Sequence, residues 1–135
     1  MSNITAMPTA MSEHVLSSGK GGIIVGKHIL AEFSGCNTRL LNDEKALNRH
    51  MIAAAEAADL TVLGVRSHKF DPCGVSVIVL LSESHLTIHT WPELGYCAID
   101  IFTCGKKEPL TSVLHLKKVL APKRSVIKKL RRKVA

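Results

Sequence analysis

The chain has 135 residues, of which 46% are hydrophobic, and this length suits one globular domain rather than two. Its formal net charge of +7 is concentrated at the C-terminal end, because nine of the 18 Lys and Arg residues lie beyond residue 116, where no Asp or Glu occurs. No apolar run reaches the roughly 20 residues of a membrane span, and residues 1–24 lack a secretory signal pattern. The spacing of the four cysteines suits neither a zinc ribbon nor a disulfide framework. We therefore expect a cytoplasmic protein.

The first predicted elements are a leader, a strand and a helix. Residues 1–24 mix Ser, Thr, Ala, Met and Gly without a hydrophobic period, which is typical of a flexible leader. A first strand is predicted over residues 29–33, which are mostly apolar. A helix should follow, since Asn42 or Asp43 can cap it and apolar residues recur at helical spacing as far as about Ala58.

The centre of the chain predicts an antiparallel meander. Four β-rich runs are separated by turn-forming sequences, and they comprise residues 61–70, 74–82, 86–91 and 96–103. A second helix is predicted over residues 109–121, and a short last strand over residues 125–127. The order β-α-β-β-β-β-α-β indicates an α+β fold, a two-layer sandwich whose mainly antiparallel sheet carries both helices on one face. The other face is left for a partner or a substrate.

These elements divide the chain into the leader, a domain over residues 25–128 and a basic tail over residues 129–135. A basic tail can contact nucleic acid or an anionic membrane. No interleaved aromatic residues or groove-reading pattern accompany the charges, so a solvated chain end is favoured, and neither nucleic acid nor membrane is expected as a partner.

One predicted strand has an unusual polar face. Side chains alternate along a strand, so His85, Thr87 and His89 share one face while the apolar residues between them share the other. An exposed or hydrogen-bonded histidine pair explains this pattern without any function, and the pattern alone favours that interpretation. A zinc site formed by His85, His89 and Cys104 is a weaker alternative, because a fourth ligand is not recognisable.

Longer motifs change this interpretation. The sequence resembles the bacterial S-adenosylmethionine decarboxylase proenzymes, a family of self-processing pyruvoyl enzymes, over about residues 25–121. The resemblance rests on residues 82–93 (SESHLTIHTWPE) and 102–105 (FTCG), with residues 26–28 (GKH) and 68–70 (HKF) before them. Such a long and chemically unusual string is far more specific than a short motif.

The resemblance implies self-cleavage followed by decarboxylation. The Ser84 hydroxyl would attack the carbonyl of Glu83 to give an ester, and Ser76 matches the serine proposed to stabilise the intermediate. His89 matches the base that removes the Ser84 α-proton, after which Ser84 becomes a pyruvoyl group. That group would form a Schiff base with the substrate amine, and Cys104 matches the proton donor that completes the reaction, with no metal involved.

The resemblance also implies a substrate and an assembly. Phe70 matches an aromatic residue that stacks on adenine, Glu93 matches a carboxylate that binds ribose hydroxyls, and Trp91 is expected to add to the same pocket. Each of these residues also has an interpretation without function. Phe70 can be a core residue, Glu93 a solvated charge in a turn, and Trp91 a packing residue at the end of a hairpin. S-adenosylmethionine is therefore the expected substrate, spermidine biosynthesis the expected pathway, and a homodimer of cleaved protomers the expected assembly.

Two other functions stay open. A pyruvoyl enzyme that decarboxylates arginine or ornithine would use the same reactive group, although Phe70 and Glu93 favour a nucleoside substrate. A non-enzymatic module that binds nucleic acid through the basic tail is the second alternative. The leader is longer, and the C-terminal end shorter and more basic, than the family pattern, which bears on regulation and assembly rather than on the chemistry.

Overall fold

The computed structural model describes residues 16–19 and 22–135, and the rest of the predicted leader lies outside these ranges. Within them the chain forms seven strands, three α-helices and one 3₁₀ turn. None of these helices combines the length and the apolar composition that crossing a membrane requires. In chain order the elements are β1 (Leu16–Gly19), β2 (Gly22–Ser34), α1 (Thr38–Leu41), α2 (Glu44–Ala57), β3 (Val62–Lys69), β4 (Val75–Leu81), β5 (Ser84–Trp91), the 3₁₀ turn (Pro92–Leu94), β6 (Tyr96–Thr103), α3 (Leu110–Leu120) and β7 (Arg124–Val134).

All seven strands belong to one antiparallel sheet. β2, β6, β5, β4 and β3 are neighbours in that order, and β7 pairs with the other side of β2, so β7 and β3 form the long edges. β1 pairs only with the first residues of β2. Helices α2 and α3 contact each other on one face of the sheet, where Ser112 Oγ donates to the carbonyl of Ala54 (2.6 Å). The predicted α+β sandwich, with two helices on one face, is confirmed, and the short α1 is an addition to it.

The core lies between the helices and one face of the sheet. Residues along β6 alternate in burial, so Ile99 and Ile101 face the helices while Asp100 faces away from them. Each large aliphatic side chain that is fully buried contributes about 1.5–3 kcal/mol. α2 completes this layer with a buried stripe at helical spacing, formed by Ala46, Leu47, Met51, Ala54 and Ala55. The opposite side of the sheet, which we call the open face, carries the polar side chains of β5.

The start of α2 shows which of the two predicted caps is used. Asp43 Oδ1 accepts a hydrogen bond from the backbone N–H of Ala46 (3.0 Å), which satisfies one donor of the first turn. Asn42 ends α1 instead, and its side-chain oxygen accepts from the backbone N–H of Gly74 (2.9 Å). This second bond ties the loop before β4 to the helical layer.

The two ends of the domain differ from the prediction. The last strand was expected to be short, but β7 covers 11 residues and pairs with β2 along almost its full length. Residues 129–134 of the predicted basic tail therefore lie in the sheet. The strand predicted over residues 29–33 is β2, which begins at Gly22, so part of the predicted leader contributes β1 and the start of β2. Lys and Arg are poor strand formers, but an edge strand leaves their charged ends in water while the backbone pairs.

Candidate active site

A two-residue turn joins β4 to β5 at the predicted cleavage site. Leu81 pairs with Ser84 across the turn, so that Ser82 and Glu83 form the turn itself. Ser84 has a φ of 146°, which L-residues rarely adopt and which costs on the order of 1–3 kcal/mol. The backbone is therefore strained at the residue that follows the Glu83–Ser84 peptide bond.

The carbonyl oxygen of Glu83 accepts two hydrogen bonds from one residue. Cys104, directly after β6, donates from its backbone N–H (3.0 Å) and from its thiol (3.3 Å). Two donors on one carbonyl oxygen are placed to stabilise negative charge that develops there. The Glu83 side chain is buried, and its Oε1 accepts from the backbone N–H of Thr61 (3.0 Å), which holds the turn from the other side.

The thiol of Cys104 is held in its protonated form. Burial raises its pKa, and this outweighs the hydrogen bonds that involve its own backbone and Ser84, which lower it. A protonated thiol beside Ser84 supports the predicted role as a proton donor. Thr103 lies across the strand pair from Ser84, and its Oγ1 is the buried side-chain oxygen without a hydrogen-bond partner in the part of the chain that the structure describes. We call Glu83, Ser84 and Cys104 the cleavage half-site.

Ser76 and His89 lie together on the open face, toward the other end of β5. The two residues are direct cross-strand partners, and a hydrogen bond of 2.6 Å joins Ser76 Oγ to His89 Nδ1. When His89 Nδ1 donates its proton to the Ser76 hydroxyl, Nε2 is the ring nitrogen that can accept a proton. The structure thus brings together two of the predicted processing residues.

A cavity of about 400 Å³ adjoins this pair. The rings of Phe70 and Trp91 are 48% and 41% exposed, so planar apolar surface is available to a ligand. A larger hollow of about 670 Å³ beside α1 is lined by none of the predicted site residues. The lining of the first cavity includes all three predicted substrate-binding residues, and consists of Phe70, Cys73, Gly74, Ser76, His89, Thr90, Trp91 and Glu93. We call the predicted residues among them the pocket half-site, which comprises Phe70, Ser76, His89, Trp91 and Glu93.

The two half-sites lie at opposite ends of β5. Ser84 begins the strand and His89 is five residues further along it. At about 3.3 Å per residue, their Cα atoms are about 16 Å apart. A base acts on a proton only at hydrogen-bond distance, about 3 Å. His89 therefore does not reach Ser84 of the same chain, and one protomer does not assemble all the predicted catalytic residues in one place.

The zinc set considered from the sequence is not assembled either. His85 and His89 are four residues apart on an extended strand, or about 13 Å, whereas zinc ligands lie about 2 Å from the ion. His85 instead shares a cluster with residues to which the sequence analysis assigned no role in a site. We call this group, which comprises His28, His85, Thr87, Asp100 and Arg132, the Asp100 cluster.

The Asp100 carboxylate is the centre of this cluster. Its Oδ2 lies 2.7 Å from His28 Nε2 and 2.9 Å from His85 Nε2, and its Oδ1 accepts from the hydroxyl of Thr87. Burial acts to raise the pKa of Asp100, but the hydrogen bonds from Thr87, His85 and His28 outweigh it and hold the pKa below its usual value. The carboxylate is therefore charged at neutral pH.

Three of these residues offer a set of atoms that could hold a metal ion, namely His28, His85 and Asp100. The guanidinium of Arg132 lies 3.1 Å from His28 Nδ1, and it can only donate a hydrogen bond. His28 Nδ1 must then be the acceptor, so His28 carries its proton on Nε2 and donates to Asp100. This tautomer favours a hydrogen-bonded network over metal coordination at His28.

Comparisons with known proteins agree with the motifs. The family model described as S-adenosylmethionine decarboxylase matches residues 27–133. An S-adenosylmethionine decarboxylase proenzyme of Methanococcus maripaludis is 40% identical over 109 residues, which cover 80% of this chain and 89% of the relative. A proenzyme of the same name from Caldanaerobacter subterraneus is 57% identical over 81 residues, or 60% of this chain and 65% of the relative. The crystal structure of the adenosylmethionine decarboxylase from Aquifex aeolicus superimposes with a TM-score of 0.79 at 30% identity, covering 83% of this chain and 93% of that one.

Proposed function

Because the chain belongs to the S-adenosylmethionine decarboxylase family, we propose that it is a proenzyme that cleaves itself between Glu83 and Ser84 and then decarboxylates S-adenosylmethionine. The family match confirms the decarboxylase activity implied by the resemblance. The product of this reaction, decarboxylated S-adenosylmethionine, is the aminopropyl donor of spermidine biosynthesis. The observation that carries the self-cleavage is the turn before β5, where a strained serine follows a carbonyl that already accepts two hydrogen bonds.

The cleavage half-site suits an N-to-O acyl shift. Ser84 Oγ would bond to the carbonyl carbon of Glu83, the C–N bond would break, and the hydroxyl proton would pass to the Ser84 nitrogen. The N–H and thiol of Cys104 support this step, because they already point at the oxygen that becomes negative. Relief of the strain at Ser84 favours the same direction.

The next step needs a base, and we assign it to His89 of a second copy. Removal of the Ser84 α-proton would expel the Glu83 carboxylate and leave the residue from which the pyruvoyl group forms. Since His89 of the same chain is about 16 Å away along β5, the base must come from elsewhere. A two-fold dimer that packs open face to open face would place one chain's pocket half-site against the other chain's cleavage half-site.

Exposed apolar side chains on the open face support this dimer. Ile78 and Leu80 are 48% and 56% exposed on β4, on the same face as Ser76. Val126 and Leu130 of β7 pair with open-face residues of β2 and are also exposed. These large apolar side chains are exposed on both sides of the open face, and a second copy that packs on this face would bury them.

The pocket half-site fits the nucleoside part of the substrate. Phe70 and Trp91 present ring faces for adenine, and the Glu93 carboxylate can accept hydrogen bonds from ribose hydroxyls. The pyruvoyl group derived from Ser84 would supply an electron sink for the substrate amine. Cys104, with its protonated thiol beside Ser84, would return a proton to the substrate α-carbon. A cytoplasmic location belongs to the same proposal, and the four free cysteines agree with reducing conditions.

Intact-mass analysis of the purified protein tests the self-cleavage. We expect two fragments, residues 1–83 and 84–135, the second without a free amino group. The Ser84→Ala variant should remain one chain. Release of labelled CO₂ from S-adenosylmethionine, compared with arginine and ornithine, tests the substrate. A wild-type chain that stays whole while it decarboxylates would contradict the proposal, and release from arginine alone would contradict the substrate.

A further inference from the structure

The Asp100 cluster is not used by the chemistry proposed above, yet it adjoins the cleavage half-site. Its member His85 directly follows Ser84 in the chain, and His85 Nε2 lies 2.9 Å from Asp100 Oδ2. The Asp100 carboxylate is itself fixed from two strands, by Thr87 of β5 and His28 of β2. Since both carboxylate oxygens are engaged, Asp100 is a firm anchor for the His85 side chain.

The strained serine is thus held from both sides. On the upstream side, the Glu83 carboxylate is bound to the Thr61 N–H and the Glu83 carbonyl to Cys104. On the downstream side, the contact of His85 with Asp100 fixes the start of β5. A backbone conformation such as that of Ser84 persists only where the surrounding structure over-determines it.

We propose that Asp100 is a positioning residue for self-cleavage: by holding His85, it keeps Ser84 in the conformation from which Oγ attacks the Glu83 carbonyl. The inference rests on the self-cleavage proposed above and concerns its first step, the formation of the ester. Without the anchor, Ser84 relaxes toward ordinary strand geometry and its hydroxyl moves off the carbonyl. A displacement of about 1 Å at a reacting atom can cost on the order of 100-fold in rate.

The ester itself is the sharpest readout. In a His89→Ala chain the elimination lacks its base, so the ester between Ser84 Oγ and Glu83 accumulates, and neutral hydroxylamine cleaves esters but not peptide bonds. The fraction of chain cut by hydroxylamine at this site in a fixed time, before the reaction is complete, then measures the rate of the acyl shift alone. Adding Asp100→Asn or His85→Gln to the His89→Ala chain should lower that fraction at least about tenfold.

Tyr96→Phe is the matched control. It removes a hydrogen bond to the carboxylate of Glu32 between β6 and β2, but neither Tyr96 nor Glu32 belongs to the Asp100 cluster or is adjacent to Ser84. This variant should lower the hydroxylamine-sensitive fraction less than about threefold. A loss as large as that of His85→Gln would mean that the cluster acts only through general stability, and would overturn the inference.

Thermal melting of each variant separates positioning from folding. If Asp100→Asn does not melt cooperatively, His85→Gln decides, because it leaves the other two donors on Asp100 in place. An undiminished ester fraction in a folded His85→Gln chain would refute the positioning role while the self-cleavage stands. Absence of ester in the His89→Ala chain itself, together with an uncleaved wild-type chain, would instead refute the self-cleavage.

Discussion

Two variants that cannot cleave alone should restore cleavage when they are made together. The Ser84→Ala chain lacks the nucleophile but keeps His89, whereas the His89→Ala chain keeps Ser84 but lacks the base. Because Ser84 and His89 are five residues apart on β5 and about 16 Å from each other, neither defect can be repaired within one chain. A mixed dimer contains one complete site, formed by Ser84 of one chain and His89 of the other.

The size of the effect follows from the pairing. If the two variants are produced in equal amounts and associate at random, about half of the His89→Ala chains meet a Ser84→Ala chain. About half of them should therefore be cleaved, and the Ser84→Ala chains should stay whole. A site built within one chain predicts no cleavage at all.

Mass spectrometry distinguishes the products, because the released fragment of residues 84–135 has the mass of the His89→Ala substitution only when it comes from that chain. The matched control pairs the His89→Ala chain with a chain that carries both substitutions, which offers no base and should give no cleavage. If the mixture of single variants behaves like this control while the wild type cleaves, the composite site is wrong. If the His89→Ala chain cleaves by itself, His89 is not the base.

Three further measurements test separate parts of the structure. Cys104→Ala removes the thiol but keeps the backbone N–H at the scissile carbonyl, so self-cleavage should slow about 10- to 100-fold and decarboxylation should be lost, whereas Cys104→Ser should restore cleavage in a time course. Ser112→Ala removes the buried hydrogen bond to Ala54, and urea denaturation should show a loss of about 1 kcal/mol with unchanged cleavage; unchanged stability would contradict the contact. The hydrogen bond to Glu32 raises the pKa of Tyr96 to about 12. The contribution of this bond to folding stability is therefore present below pH 10 and is lost as the pH rises from about 10 to 12. The wild type should be more stable than Tyr96→Phe below pH 10 and should lose this difference in the free energy of unfolding over that range.

Local patterns predicted the elements of this fold that depend on nearby residues. The alternation of β5 follows from spacing, and the cap of α2 was narrowed by side-chain chemistry to Asn42 or Asp43, of which the structure uses Asp43. The length of β7 could not be predicted from its own residues, because its Lys and Arg residues do not indicate a strand. Only the pairing of β7 with β2 determines how far the strand extends. The open face of β5 was predicted correctly, and its apolar partner face is buried as expected.

The arrangement of the predicted site residues, in two groups at opposite ends of β5, was not anticipated from the sequence. The resemblance assigned roles to Ser84 and His89 without geometry, although counting five residues along a strand was enough to show their separation. The Asp100 cluster was missed because strand pairing alone brings residues 28, 85, 100 and 132 together. Its one local signal was a carboxylate between Ile99 and Ile101 in an otherwise apolar strand.

In the composite site proposed above, the spacing along β5 makes the maturation of this protein depend on its own abundance. When the nucleophile and the base belong to different molecules, a newly made chain stays uncleaved until it binds a second copy. While binding is the slow step, the rate of cleavage then grows with the square of the chain concentration. Dilute chains would persist as precursor, and accumulation would itself trigger activation. The length of one strand would in this way set how much polypeptide a cell must make before polyamine synthesis begins.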